Sequence, residues 1–142
     1  MAAQGGLVAL LGRDVERLAR VEQEARAAGA PKAAGIVCDL QDVAQINAAI
    51  TKIQTDFGGI DILINNAGVS HMPAPPETIS EEDFDRVTLV NMKSVYLTAR
   101  STVPHIKHRQ SGSLLYVASI AVVSPRPHPA IDKSSHVCII TP

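Results

Sequence analysis

Four short apolar runs alternate with amphipathic helical stretches along this chain, and that alternation restricts its fold more than any other feature. The runs are GLVALL at 6–11, AGIVC at 34–38, DILIN at 61–65 and SLLYVA at 113–118. Each is nearly continuous in apolar side chains, as expected of strands covered on both faces. After the first run, Val15, Leu18, Val21 and Ala25 form one helical stripe, with Asp14 placed as N-cap and Gly29 as stop. After the second, Val43, Ile46, Ile50 and Ile53 repeat the pattern between Asp42 and Gly58-Gly59. After the third, the Ser80 hydroxyl is placed to cap the EEDF turn of a long helix reaching about His105, with a bend expected at Pro104. Strand–helix alternation of this kind predicts an α/β fold with a doubly wound parallel sheet. In such sheets ligands gather at the carboxyl ends of the strands.

Composition narrows the partners. The chain has 142 residues, enough for a single domain, and a net charge of −1. Without a basic stripe, nucleic acid is not an expected partner. No apolar run approaches the ~18 residues of a membrane span. The N-terminal MAAQGGLVALLGRD has no charged leader ahead of its apolar run, so no secretory signal is expected. Cys38 and Cys138 match no zinc or redox spacing, which favours a reducing, cytoplasmic setting. His136 and Cys138 make one His-x-Cys pair, too few ligands for a structural metal. There is no tryptophan, only two tyrosines and two phenylalanines, so Ala, Val, Ile and Leu must build the core.

The strand ends carry the polar residues. The first ends in Gly12-Arg13-Asp14, the second in Cys38-Asp39-Leu40, the third in Asn65-Asn66-Ala67-Gly68, the fourth at Ser119. On the long helix Phe84, Val87 and Asn91 share a stripe, which points Asn91 into the core, where an amide needs partners. Each has a plainer reading. Arg13 suits a solvated helix start, Asp39 a cap for the next helix, NNAG a simple turn, and Asn91 a satisfied structural amide.

Taken together, these residues resemble the short-chain dehydrogenase/reductase family over roughly residues 5–135, with NNAG after an apolar strand as the most specific mark. The resemblance implies a Rossmann-type fold and NADP(H)-dependent hydride transfer at a carbonyl or secondary alcohol of a small molecule. It implies that Asp39 accepts from the adenine amino group and that Asn65, Ala67 and Gly68 lie along the adenosine ribose. Position 12 is glycine where NAD-preferring relatives carry an acid, and Arg13 suits a 2′-phosphate, so NADP is favoured over NAD. Asn91 resembles the asparagine that holds a water in the proton relay, and Ser119 the serine that bonds the substrate carbonyl. The helix at 81–105 corresponds to one that packs against a partner subunit, which implies a homo-oligomer.

Two departures accompany the resemblance. The family's first strand and Gly-rich turn, which hold the pyrophosphate on a helix N-terminus, are missing ahead of AAQGG. That strand is central in the family's sheet, so the strands at 6–11 and 61–65 are expected either to close on each other or to leave the sheet split. The second departure lies at the other end. The catalytic tyrosine would fall at position 132 and its lysine at 136, where this chain has Asp132 and His136. Asp132, ionised at pH 7, has no proton to give. Lys133 is off register, Val122 replaces a usual glycine, and Ser135 still fits its slot. Tyr116 alternates away from Ser119 and suits the core. One partial Rossmann-type domain over 1–142 is expected, incomplete in its first and C-terminal strands. Its divergent tail at 130–142 suggests a changed reading frame or an unspliced segment. The resemblance therefore implies an oxidoreductase that is silent as this chain stands, or a non-catalytic binding or dimerisation module.

Overall fold

The computed structural model describes residues 1–70 and 74–118. The readings of Ser119, Val122, Asp132, Lys133, Ser135, His136 and Cys138 therefore fall outside the described residues.

All four apolar runs are strands: β1 (Val8–Gly12), β2 (Ala33–Val37), β3 (Ile62–Asn65) and β4 (Ser113–Tyr116). The first begins later than its apolar run because residues Ala2–Gln4 make a 3₁₀ turn. Gly5 closes that turn at φ 77°, a left-handed conformation that glycine adopts without a Cβ clash.

Local signals set the helix starts. Asp14 caps α1 (Val15–Ala27), its carboxylate accepting from the Arg17 N–H at 2.9 Å. Asp42 caps α2 (Val43–Phe57), accepting from Ala44 and Gln45 at 2.8 and 3.3 Å. These bonds, with one from the Gln45 side chain as the largest cause, hold the Asp42 carboxyl below its usual pKa. Ser80 caps α3 (Glu81–Thr88) through the Asp83 N–H at 3.1 Å. Past the end of α1, Ala30 and Gly29 donate back to the carbonyls of Ala25 and Arg26, both at 3.0 Å, which satisfies the last turn.

The long helix differs from expectation. Its irregularity is a π-helical turn at Leu89–Lys93, upstream of Pro104, followed by α4 (Ser94–His108), which runs through Pro104 and past His105. In that turn the Ser94 N–H reaches back to the Leu89 carbonyl, one residue further than in an α-helix. Val87 and Asn91 are buried, while Phe84 is half exposed. On α1, Leu18, Val21 and Ala25 are half-buried but Val15 in the first turn is exposed.

The sheet is split. β1 and β2 pair in parallel from Val8 opposite Ala33 to Gly12 opposite Val37. β3 and β4 pair in parallel from Ile62 opposite Ser113 to Asn65 opposite Tyr116. These are two separate two-stranded sheets. A common floor lies beneath them. Ile36, Cys38, Ile46, Ala49, Ile50, Ile53, Ile60 and Leu97 form one buried cluster, with Ala9 and Leu11 of β1 against it. Helix α2 thus joins β1–β2 to α4, which packs on β3. Helix α1 covers the opposite face of β1–β2. Gly35 permits that approach: a Cβ there would lie 3.0 Å from the Leu18 Cβ. The corresponding face of β3–β4 is open among the described residues, with Ile62, Ile64, Leu115 and Val117 exposed.

Candidate active site: the rim of the strand ends

Arg13 and Asp39 leave β1 and β2, which are neighbours in register, so their side chains meet. Arg13 Nη1 lies 3.9 Å from Asp39 Oδ2, and 65% of the Arg13 side chain is exposed. A long, exposed pair of this kind contributes little to stability. It leaves a guanidinium fork facing solvent beside a carboxylate.

Asp39 does not cap α2, since Asp42 does. Asp39 Oδ1 instead accepts from the Gln41 N–H at 3.0 Å, closing a local turn, while its own N–H donates to Gln45 Oε1 at 2.9 Å. Gln45 therefore fixes the Asp39 backbone. A Gln three residues after the Asp42 cap marks a capping box, but here it reaches past the Asp42 N–H to that of Asp39. Cys38, just before, is fully buried; burial pushes its thiol above the usual pKa, and the charges of Asp39 and Asp42 add to this. It stays a neutral packing group.

The third strand end is held from below. Asn65 Oδ1 accepts from the Thr98 hydroxyl at 2.7 Å, and its backbone carbonyl accepts from Val117 at 2.9 Å. The Asn65 Nδ2 is buried and has no partner among the described residues. Asn66, Ala67 and Gly68 are exposed. A Cβ on Gly68 would meet only Asn91 Oδ1, at an ordinary 3.6 Å, so nothing in the described chain requires glycine there.

Asn91 faces inward as its stripe implies, and its amide is a two-point clamp. Oδ1 accepts from the Val69 N–H at 2.8 Å and Nδ2 donates to the Val69 carbonyl at 2.9 Å. The π-turn thus holds the segment after NNAG. Sequence reasoning missed Thr98. It lies seven residues beyond Asn91 and is buried on the same helical arm, a spacing that the stripe contained.

The structure therefore brings Arg13 and Asp39 together, sets Gly68 and Val69 against Asn91, and ties Asn65 to Thr98. Ser119 lies outside the described residues, three positions past the end of β4. Tyr116 on β4 has its hydroxyl buried, with no partner among the described residues, in keeping with a core position. No group of three or more metal-ligating side chains occurs among the described residues, and no helix there is long and apolar enough to cross a membrane.

Comparison with known proteins bears on the fold and the family. The short chain dehydrogenase family model matches residues 1–136. The 4-formylbenzenesulfonate dehydrogenase of Comamonas testosteroni is 38% identical over 96 residues, 68% of this chain and 38% of that protein. The 2,3-dihydro-2,3-dihydroxybenzoate dehydrogenase of Bacillus subtilis is 31% identical over 140 residues, 99% of this chain and 53% of that protein. This chain spans about half the length of the curated relatives it matches, or less. Among solved structures, NAD+-bound xylitol dehydrogenase superposes with a TM-score of 0.89 at 29% identity, covering 95% of this chain and 52% of that one. A metagenomic short-chain oxidoreductase in complex with NADP superposes at 0.87 with 33% identity, covering 95% and 61%.

Proposed function

The chain belongs to the short-chain dehydrogenase family, and from that premise we propose that its strand-end rim is the adenosine half of an NADP(H) site. The observation that carries this is the Arg13–Asp39 pair at the ends of two adjacent strands. The exposed guanidinium suits a 2′-phosphate, which it can grip with two parallel N–H bonds. Asp39 offers an acceptor to the adenine amino group. Asn65, Ala67 and Gly68 lie along the ribose, and the bare Gly68 fits a close approach of ligand to backbone that the protein itself does not demand. The residues at this end therefore fit a dinucleotide, with NADP favoured over NAD.

When bound, a nicotinamide dinucleotide supplies or accepts the hydride at a carbonyl or secondary alcohol. The chain's own part is to hold the nucleotide and to place Ser119 by the substrate oxygen, with Asn91 keeping the 65–69 segment in position and serving the proton relay. The chain as it stands is silent in catalysis. Asp132 and His136 occupy the places of the proton-donating phenol and its assisting lysine, and an ionised carboxylate has no proton to deliver at pH 7. The setting is cytoplasmic, supported by the free, buried Cys38.

Titration with NADPH and NADH tests the nucleotide reading, the first expected to bind more tightly. An NADPH-consumption assay over a panel of ketones tests the silence: no turnover is expected, and turnover would reject it. A second reading is a non-catalytic dimerisation module. Phe84 and Tyr96 are about half exposed on the α3–α4 arm, which supports that arm as a contact between two copies. Sedimentation of the full chain distinguishes a dimer from a monomer.

A further inference from the structure

Asp39 is held in place by a helix it does not cap. Its N–H donates to Gln45 Oε1 at 2.9 Å, its carbonyl accepts from the Asp42 N–H at 3.0 Å, and its Oδ1 accepts from the Gln41 N–H at 3.0 Å. The remaining polar atom is Oδ2. Among the described residues its polar contact is Arg13 Nη1 at 3.9 Å, beyond hydrogen-bond distance. This oxygen, on a side chain 34% exposed, can accept from a ligand at the strand ends.

Gln45 is itself held. Its Nε2 donates to Asp42 Oδ2 at 3.0 Å, while Asp42 Oδ1 accepts from the Ala44 and Gln45 N–H groups as the α2 cap. An ionised carboxylate only accepts, so Asp42 draws the amide nitrogen toward itself and leaves the amide oxygen for the Asp39 N–H. The helix makes no use of this side chain: Gln45 is exposed, and the cap bonds run to backbone N–H groups.

We infer, resting on the nucleotide reading above, that Gln45 is a positioning residue that sets base selectivity, holding the Asp39 backbone so that Asp39 Oδ2 accepts from an exocyclic amino group and repels a carbonyl oxygen. The rim then takes adenine and rejects hypoxanthine, which carries a carbonyl where adenine carries the amino group. Both halves of that choice come from one oxygen. A hydrogen bond to an ionised acceptor is stronger than a neutral one, and facing lone pairs work against the wrong base. Each depends on where Oδ2 sits, and hence on the Gln45 bond.

The test is calorimetric titration of the full chain with 5′-AMP, 5′-IMP and adenosine 2′,5′-bisphosphate. The unaltered chain should bind 5′-AMP about tenfold more tightly than 5′-IMP. Gln45→Leu should bring that ratio below about threefold, with the thermal midpoint nearly unchanged because the side chain is exposed. The preference for the bisphosphate over 5′-AMP, which Arg13 carries, should stay as it was. Asp42→Asn is the second variant. It keeps the cap, since an amide oxygen also accepts from N–H groups. A donor then meets a donor at one end of the Gln45 amide, whichever way it turns, so the base ratio should fall here too. An unaltered chain that binds 5′-AMP and 5′-IMP equally, or neither, overturns the adenine reading of Asp39 and this role with it. A base preference that survives in a folded variant of either kind overturns the role of Gln45 alone. A fall of the base and phosphate preferences together marks a general loosening of the rim and also overturns it.

Discussion

Arg13 leaves β1 with 65% of its side chain in solvent and only a 3.9 Å contact to Asp39, so its fixed charge does little for the fold. Arg13→Ala should leave the thermal melting midpoint nearly unchanged and weaken NADPH binding by about tenfold, about 1.4 kcal/mol; a thermal melt and a titration on the same variant check both halves. Cys38 tests burial in the opposite way. Its folded pKa is raised by burial above an ordinary 9.0, so its contribution to stability is complete below the unfolded pKa and is lost as pH rises through the folded one. Denaturant melts from pH 7 to pH 10 should show stability falling at the alkaline end, with a shallower fall in Cys38→Ala. Thiol alkylation of Cys38 should be slow at pH 7 and fast only once the chain unfolds.

At the scale of elements, the π-turn and α2 carry the arrangement. Replacing Asn91 by Leu removes both partners of the Val69 backbone and should cost about 1–3 kcal/mol, read from a denaturant melt. Ile46→Ala, at a fully buried position in α2, should cost about 2–5 kcal/mol and loosen both half-sheets together, since one cluster supports both. Much of this level was legible in the chain. Asp14, Asp42 and Ser80 were readable as caps because a cap bonds an N–H two or three residues away. The π-turn was not, because it depends on how the helical arm meets Val69 and β3. Val15 and Phe84 sit in first turns that project beyond the packed face, so periodicity alone placed them in the core. Among site residues, Arg13 and Asp39 were readable from their strand ends, and Thr98 and Gln45 from their spacing, but the groups those two bond were not, because that depends on how the strand ends meet the helices.

At the scale of the whole molecule, the chain holds two parallel half-sheets on one helical floor, with the Arg13–Asp39 pair, proposed above to hold a nucleotide, at the carboxyl ends of one of them. On the proposed reading every residue assigned to adenosine lies within 13–68, whereas Ser119, Asp132 and His136 come later in the chain. Binding and chemistry are thus separable, and nucleotide affinity without turnover is the expected behaviour. Calorimetric titration of the full chain with adenosine 2′,5′-bisphosphate, set against 5′-AMP, measures this most directly. The bisphosphate should bind about tenfold more tightly than AMP, and Arg13→Ala should erase the difference. Equal affinity for the two nucleotides, or a preference that survives loss of Arg13, would contradict the rim as a 2′-phosphate site.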